Sequence, residues 1–239
     1  MKWIRHDGTP DGWATALRAA ALDSADDAAA VPERSVSIGL FDQSVSSVPC
    51  AGAAGRLWKE WSAQVSREFV RNLWHARSFP ELAAEVSAYA RLGLRMGGEV
   101  DEFVSHPAVH AVHAAVRRVR LELHRLKGLL RFRALGNGWL WGPYDSDADV
   151  LWPLAAHFSR RMPDDGWVLH DVGRRRAIAW NRAELREISP PAAPGARGDE
   201  YAELWKTFFH SISVPGRENP ELQRRNMPQR YWNWLVEME

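Results

Sequence analysis

Apolar residues recur at alternating spacings of three and four along residues 109–131. The set is Val109, Val112, Val116, Val119, Leu123, Leu126 and Leu130. Since this spacing places side chains on one face of an α-helix, it predicts a long helix with a buried face. One position further on, a second set follows the same spacing and forms a basic ridge beside that face: His110, His113, Arg117, Arg120, His124, Lys127 and Arg131.

The residues before this helix predict a mainly helical region with short strands. Helical periodicity covers residues 12–22, 55–77 and 79–97, and Ser105 is placed to cap the long helix. Residues 2–9 are typical of a strand that ends in an Asp-Gly turn, and residues 36–41 of a second short strand. The segment between residues 23 and 35 is predicted to be a loop.

After Gly128 the pattern changes, with two strand-like runs around Gly136-Asn137-Gly138 and a second pair turning near Val172–Arg176. These predict two antiparallel hairpins in one sheet over residues 128–188, with a helix over 147–161 on one face. A helix over 201–212 and a closing helix follow. The fold class is therefore predicted to be α+β, with a helical N-terminal region at 1–105 and an α+β domain at 106–239.

Composition narrows the possible chemistry. The chain of 239 residues has a formal net charge of +1 and one cysteine, Cys50. One cysteine cannot build a disulfide framework, an iron–sulfur cluster or a thiolate zinc site within the chain, so no cofactor is expected. No apolar run approaches the roughly 20 residues of a membrane span, and the N-terminus lacks a signal-peptide pattern. We therefore expect a cytoplasmic protein without a membrane partner.

Basic residues cluster at three places that could together contact nucleic acid, because clustered guanidinium and amide donors bind phosphate and nearby aromatic rings stack on bases. The candidates are Arg117, Arg120, His124, Lys127 and Arg131 on the ridge, Arg174, Arg175 and Arg176 at the second turn, and Arg217, Asn219, Gln223, Arg224, Arg225, Arg230 and Tyr231 near the end. The alternative is solvated charge, with the ridge paired to surface carboxylates such as Glu99, Asp101 and Glu122.

Catalytic chemistry has weaker candidates. His170 and Asp171 could supply acid–base catalysis, with His124 as a further histidine, but neighbouring residues on a strand point to opposite faces. His110 and His113, with His124 on the same ridge, could begin a metal site. The flanking Arg117 and Arg120 would repel a cation, so no metal is expected.

Several motifs resemble a bacterial family associated with DNA repair or DNA metabolism, and the resemblance covers essentially the whole chain. They are the Asp7-Gly8-Thr9 turn, residues 123–132 ("LHRLKGLLRF"), residues 167–174 ("WVLHDVGR") and residues 201–235. In that family the C-terminal domain, whose function is unknown, also occurs fused behind a uracil-DNA glycosylase-type domain. The stand-alone form neighbours a radical-SAM protein in genomes. Relatives have a tyrosine where this chain has His6, so no role is carried to that position.

The resemblance implies an accessory protein of DNA repair or DNA modification that binds DNA or nucleotide and docks a radical-SAM or glycosylase-type enzyme. The single cysteine excludes radical-SAM chemistry in this chain itself. Two alternatives remain at this point. One is an enzyme acting on a nucleotide or base through His170, Asp171 or His124, and the other is a scaffold that never touches DNA.

Overall fold

The computed structural model describes residues 1–24, 27–33, 42–135, 138–191, 204–208, 211 and 219–238. The chain divides into two compact units, Met1–Val119 and Arg120–Glu239. Helices and strands occur in both, which confirms the predicted α+β class. The division falls inside a long helix, whereas the sequence analysis places its division between residues 105 and 106.

The first unit contains a three-stranded parallel sheet in the order β2-β1-β3. Its elements are β1 (Lys2–His6), α1 (Pro10–Leu22), β2 (Ala28–Pro32) and β3 (Gln43–Ser46). Strand β2 lies where the sequence analysis predicted a loop, and that prediction is wrong. Residues 28–31 are buried, and β2 packs against α1 and a later helix. A buried parallel strand shows a continuous apolar run rather than alternation, and alanine is a poor strand signal. The expected strand at 36–41 lies outside the described residues.

Three further helices complete the first unit: α2 (Ala53–Gln64), α3 (Arg67–Ala76) and α4 (Ala83–Met96). The sequence predicted one helix over 55–77, but the chain breaks at Val65. The Ser66 side chain then accepts a hydrogen bond from the Phe69 N–H at 2.9 Å and caps α3. Helix α4 matches the predicted helix at 79–97 and ends at Gly97, whose φ of +69° suits glycine.

Helix α5 (Pro107–Leu129) is the long helix that the sequence predicts. Its predicted apolar face is buried except for Leu123, which is half-buried. The ridge is mostly exposed, since only His113 and Arg131 are half-buried among its members. The predicted separation between a buried face and a basic face is therefore confirmed.

The second unit contains a five-stranded sheet in the order β4-β5-β6-β7-β8. The strands are β4 (Arg133–Ala134), β5 (Leu140–Tyr144), β6 (Trp167–Asp171), β7 (Arg176–Trp180) and β8 (Leu185–Ile188). The pairs β4–β5 and β6–β7 are the two predicted antiparallel hairpins, and β8 extends the second one. Helix α6 (Leu151–Arg161) joins β5 to β6, which pair in parallel.

The sheet of the second unit is covered on both faces. On one face, Phe158 of α6 packs against Phe132 and Trp167, with ring centroids 5.1 and 6.5 Å apart. On the other face, Trp141 meets Trp234 edge to face at 6.3 Å. The C-terminal segment that carries Trp234 therefore completes the core.

The C-terminal segment is not the single closing helix that the sequence predicts. It comprises α7 (Pro220–Asn226) and two 3-10 turns, Gln229–Trp234 and Val236–Met238. Residues 204–208 are helical and fall inside the predicted helix at 201–212. None of the helices in the described parts of the chain combines the length and the apolar character needed to span a membrane.

Candidate functional site

The carboxyl ends of β5 and β6 lie side by side, because these strands are parallel and Tyr144 pairs with Asp171 in register. Ligand-binding groups commonly collect at the carboxyl ends of parallel strands, where the following loops meet. Here residues 145–150 follow β5, and residues 172–175 follow β6. These two connections carry most of the charged residues described next.

Asp171 is fully buried at the end of β6. Its carboxylate accepts a hydrogen bond from the Arg174 backbone N–H at 3.0 Å and approaches the Arg174 guanidinium at 3.4 Å. Burial raises the pKa of Asp171 above its usual value, although the contacts with Arg174 act in the opposite direction. The carboxylate therefore orders the turn between β6 and β7.

His170 points to the opposite face of the sheet, where its ring centroid lies 6.0 Å from that of Trp141. Its Nδ1 atom is buried without a hydrogen-bond partner, and burial lowers the pKa of the imidazole. The alternation of side chains along a strand therefore separates His170 from Asp171, and the two do not form a hydrogen-bonded pair.

Glu122 is a buried carboxylate on α5, with 5% of the residue exposed. Its carboxylate accepts hydrogen bonds from the Ser146 hydroxyl at 2.9 Å and the Tyr231 hydroxyl at 2.7 Å, and it pairs with the Arg230 guanidinium. The expectation that Glu122 is a surface carboxylate is wrong. Its spacing gives the reason, since it continues a row of buried side chains formed by Ala115, Val119 and Leu126.

Arg230 and Tyr231 connect the C-terminal segment to this carboxylate. Arg230 also pairs with Asp147 at 2.9 Å, so one guanidinium joins α5 to the loop after β5. Burial raises the pKa of Tyr231 to about 12, and the hydroxyl therefore stays protonated and donates to Glu122. In the structure these two side chains hold the C-terminal segment in place, and their contact with nucleic acid stays a prediction.

Other predicted arginines also have internal partners. Arg174 donates to the backbone carbonyls of Ser146 at 2.7 Å and Asp147 at 2.8 Å. Arg176 pairs with Asp149 at 3.0 Å and Glu187 at 2.8 Å. We define the carboxyl-edge network as Glu122, Tyr144, Ser146, Asp147, Asp149, Asp171, Arg174, Arg176, Glu187, Arg230 and Tyr231.

Arg131 lies outside this network but is paired in a similar way. Its guanidinium contacts the buried carboxylate of Glu237 at 2.6 Å and donates to the Gly128 carbonyl at 3.0 Å. Arg175 is different, since it is exposed at the tip of the hairpin with a φ of +53°. Arg217 lies outside the described residues.

Helix α7 brings the remaining predicted residues close to α5. Asn219 caps it by accepting a hydrogen bond from the Leu222 N–H at 2.9 Å, and Gln223 contacts the sulfur of Met238. Arg224 and Arg225 are exposed. Arg125 of α5 donates to the Arg225 carbonyl at 3.0 Å, which places the end of α7 against α5.

A second basic surface combines two candidates from the sequence analysis with three residues that the sequence analysis missed. We define the cationic face as His124 and Lys127 of α5 together with His157, Arg160 and Arg161 of α6. Burial lowers the pKa of His157, and the positive charges of Lys127, Arg160 and Arg161 lower it further because they lie near the imidazole. The spacing of Arg160 and Arg161, three and four residues after His157, was the available signal.

The charges of the cationic face differ from those of the network in their surroundings. Four of its members are exposed, and His157 is half-buried. Within the described parts of the chain, none of the five forms an ion pair with a carboxylate. Such a face attracts anions, because no carboxylate of the described residues is paired with its cations.

The ridge histidines do not assemble a metal site in the structure. His113 Nε2 lies 2.7 Å from an oxygen of Asp101, whose carboxylate also accepts a hydrogen bond from the Tyr89 hydroxyl at 2.5 Å. Pairing of a ridge residue with Asp101 is one of the alternatives that the sequence left open. Across the described residues, no three His, Cys, Asp or Glu side chains are arranged to hold a metal ion.

One known protein family matches the part of the chain that contains both the carboxyl-edge network and the cationic face. The model of a domain of unknown function, DUF4130, matches residues 80–237. No curated protein matches the chain. The matched region holds all described strands of the five-stranded sheet together with α4, α5, α6 and α7. Since the match covers well over half of the 239 residues, the chain belongs to the DUF4130 family.

Proposed function

We propose that this chain is an accessory protein of DNA repair or DNA modification that binds DNA or nucleotide through the cationic face. The observation that carries the proposal is the grouping of Lys127, Arg160 and Arg161 around His157 without a carboxylate partner in the described residues. Clustered like charges destabilise the folded chain by mutual repulsion, and a bound phosphate removes that repulsion. Phosphate contacts of this kind supply affinity without sequence readout.

The exposed arginines of α7 are further candidate phosphate contacts in this proposal. Arg224 and Arg225 are held near α5 by the bond from Arg125, and both are exposed. The arginines of the carboxyl-edge network take the supporting role, since their guanidinium groups are occupied by carboxylates and carbonyls of this chain. The proposed interface is therefore smaller than the sequence suggested and centred on the cationic face.

Salt-dependent binding to a labelled DNA duplex tests this proposal. The variant Lys127→Ala/Arg160→Ala is expected to bind more weakly, with a log–log salt slope reduced by up to about 1.8, because each lost phosphate contact contributes about 0.9. The matched control is Lys59→Ala/Arg67→Ala, which removes one exposed lysine and one exposed arginine from the first unit. The proposal fails if the wild-type chain does not bind DNA, or if both variants change affinity equally.

The partner is part of the same proposal and comes from the family resemblance alone. We infer that the protein docks an enzyme of radical-SAM or glycosylase type, which would supply chemistry that a chain with one cysteine cannot supply through an iron–sulfur cluster. Affinity purification from the native host, with and without nuclease treatment, tests it. We expect to recover such an enzyme even after nuclease treatment. If the enzyme is recovered only when nuclease is omitted, nucleic acid bridges the two proteins and direct docking is contradicted.

A further inference from the structure

Residues 204–208 expose three large apolar side chains. Leu204 is 66% exposed, Trp205 37% and Phe208 50%. The rings of Trp205 and Phe208 contact each other with centroids 5.6 Å apart and planes inclined by 41°. Exposed aromatic residues grouped in this way mark contact surfaces more often than isolated ones do.

Arg131 fixes the indole ring next to the end of α5. Its guanidinium lies 4.7 Å from the centroid of the Trp205 ring, and the same group is held by the buried Glu237. A cation over an aromatic face is attracted by the ring quadrupole, so the ring is ordered on that side. The exposed area of Trp205 therefore lies on the remaining face and edges.

Arg131, which holds the Trp205 ring, is close in sequence to Lys127 of the cationic face. Lys127 lies in the last turn of α5, and Arg131 follows two residues after the helix ends at Leu129. The Arg131 guanidinium donates to the Gly128 carbonyl at 3.0 Å, so it lies against that end of the helix. An aromatic pair and a set of cations thus lie at the same end of α5. This combination of a backbone-tracking positive surface with rings on which bases stack is what single-strand binding requires.

We propose that the nucleic acid bound here is single-stranded, with its phosphates on the cationic face and unpaired bases stacked on Trp205 and Phe208. The inference rests on the proposed function and names its substrate class. In a duplex the faces of the bases are covered by their neighbours, so exposed rings add nothing to duplex binding. Charge complementarity favours nucleic acid over a protein partner as the occupant, because the exposed Lys127 lies at the same end of α5 as the Arg131 guanidinium that holds the ring, and cations attract phosphate.

The test compares one labelled DNA oligonucleotide as a single strand and as its duplex by fluorescence anisotropy. Trp205→Leu keeps an apolar side chain but removes the ring. It is expected to weaken single-strand binding by about 5- to 150-fold, the equivalent of one stacked base, and to change duplex binding by less than about twofold. Trp205→Phe keeps a ring and is expected to restore most of the affinity.

Trp58→Leu is the matched control, since Trp58 is 39% exposed in the first unit. It is expected to leave both affinities unchanged. Urea unfolding of each variant shows whether the fold is retained. Unchanged single-strand affinity in a folded Trp205→Leu variant overturns the stacking inference while leaving the proposed function intact, and the same holds if both affinities fall equally. Absence of binding to either form by the wild-type chain overturns both.

Discussion

The carboxyl-edge network and the cationic face lie in the same unit and are both rich in basic side chains, but their charges are balanced differently. In the network each arginine meets a carboxylate or a backbone carbonyl, as Arg230 meets Glu122. In the cationic face the charges that shift the pKa of His157 are all positive. The difference shows that the number of arginines in a segment says little about its potential, because buried carboxylates neutralise some and leave others available.

Removal of the Glu122 side chain is the strongest way to test the structural role of the network. Glu122→Ala leaves the Arg230 guanidinium and the Tyr231 hydroxyl without their shared acceptor in a partly buried site. Breaking a buried ion pair from one side typically costs about 3–5 kcal/mol, and we expect a loss of that size in the free energy of unfolding. Urea denaturation measures it.

The control for that variant is Glu221→Ala, because Glu221 is exposed in the first turn of α7. We expect a loss of less than about 0.5 kcal/mol there. Equal stability losses for the two variants would show that Glu122 is no more important to the fold than a surface residue, and the contrast between the two regions would then be wrong.

Arg176→Ala tests whether the arginines of the network are structural, by measuring both stability and the salt dependence of DNA binding. Its pairs with Asp149 and Glu187 are lost, and because the side chain is partly exposed we expect about 1–2 kcal/mol of destabilisation. The salt slope of DNA binding should not change, since the guanidinium is already occupied. A reduced slope in a variant of unchanged stability would move Arg176 into the interface, as the sequence alone had predicted.

The pH dependence of DNA binding sharpens the description of the cationic face. The pKa of His157 lies below its usual value of 6.5 in the free protein, because of burial and of the cations Lys127, Arg160 and Arg161. Bound phosphate favours the protonated imidazole and raises that pKa, so binding takes up a proton and affinity increases as the pH falls through the pKa of the bound state.

One unit of pKa difference between free and bound protein corresponds to at most a tenfold gain, or about 1.4 kcal/mol. Comparison of the wild-type chain with His157→Asn between pH 7.5 and 5.5 isolates the contribution of this imidazole. Identical pH profiles for the two proteins would remove His157 from the interface.

The smallest expected effect concerns the tip of the β6–β7 hairpin. Arg175 has a φ of +53°, where a side chain is strained and glycine is not. Arg175→Gly is therefore expected to raise the free energy of unfolding by about 0.5–1 kcal/mol, with little effect on DNA binding. A clear loss of DNA affinity would show that the hairpin tip contacts DNA.

Periodicity was sufficient to predict α5 and the two hairpins, and insufficient to predict the break between α2 and α3, the form of the C-terminal segment and the connections between strands. Helix α5 and both hairpins follow from local spacing. The parallel pairing of β5 with β6 depends on contacts across α6, which leave no local pattern. Strand β2 was missed because its buried alanines, unlike alternating residues, carry no strand signal.

The same limit applies to the candidate site. The ridge was predicted correctly as exposed, and His124 and Lys127 remain available. The pairing of Arg230 with Glu122 joins residues 108 positions apart and cannot be read from either segment. The burial of Glu122 could have been predicted, because its position continues a row of buried residues along the helix. A buried carboxylate requires a partner from another segment, but the sequence does not say which one.

The link between Glu122 and the C-terminal segment also has a consequence for synthesis of the chain. Arg230 and Tyr231 emerge from the ribosome after α5 and every described strand of the sheet, so the Glu122 carboxylate lacks these two partners until that segment has been synthesised. Domains generally fold as units during synthesis, and a buried charge without its partner opposes packing. The second unit is therefore expected to reach its final packing only after residue 231 has left the ribosome.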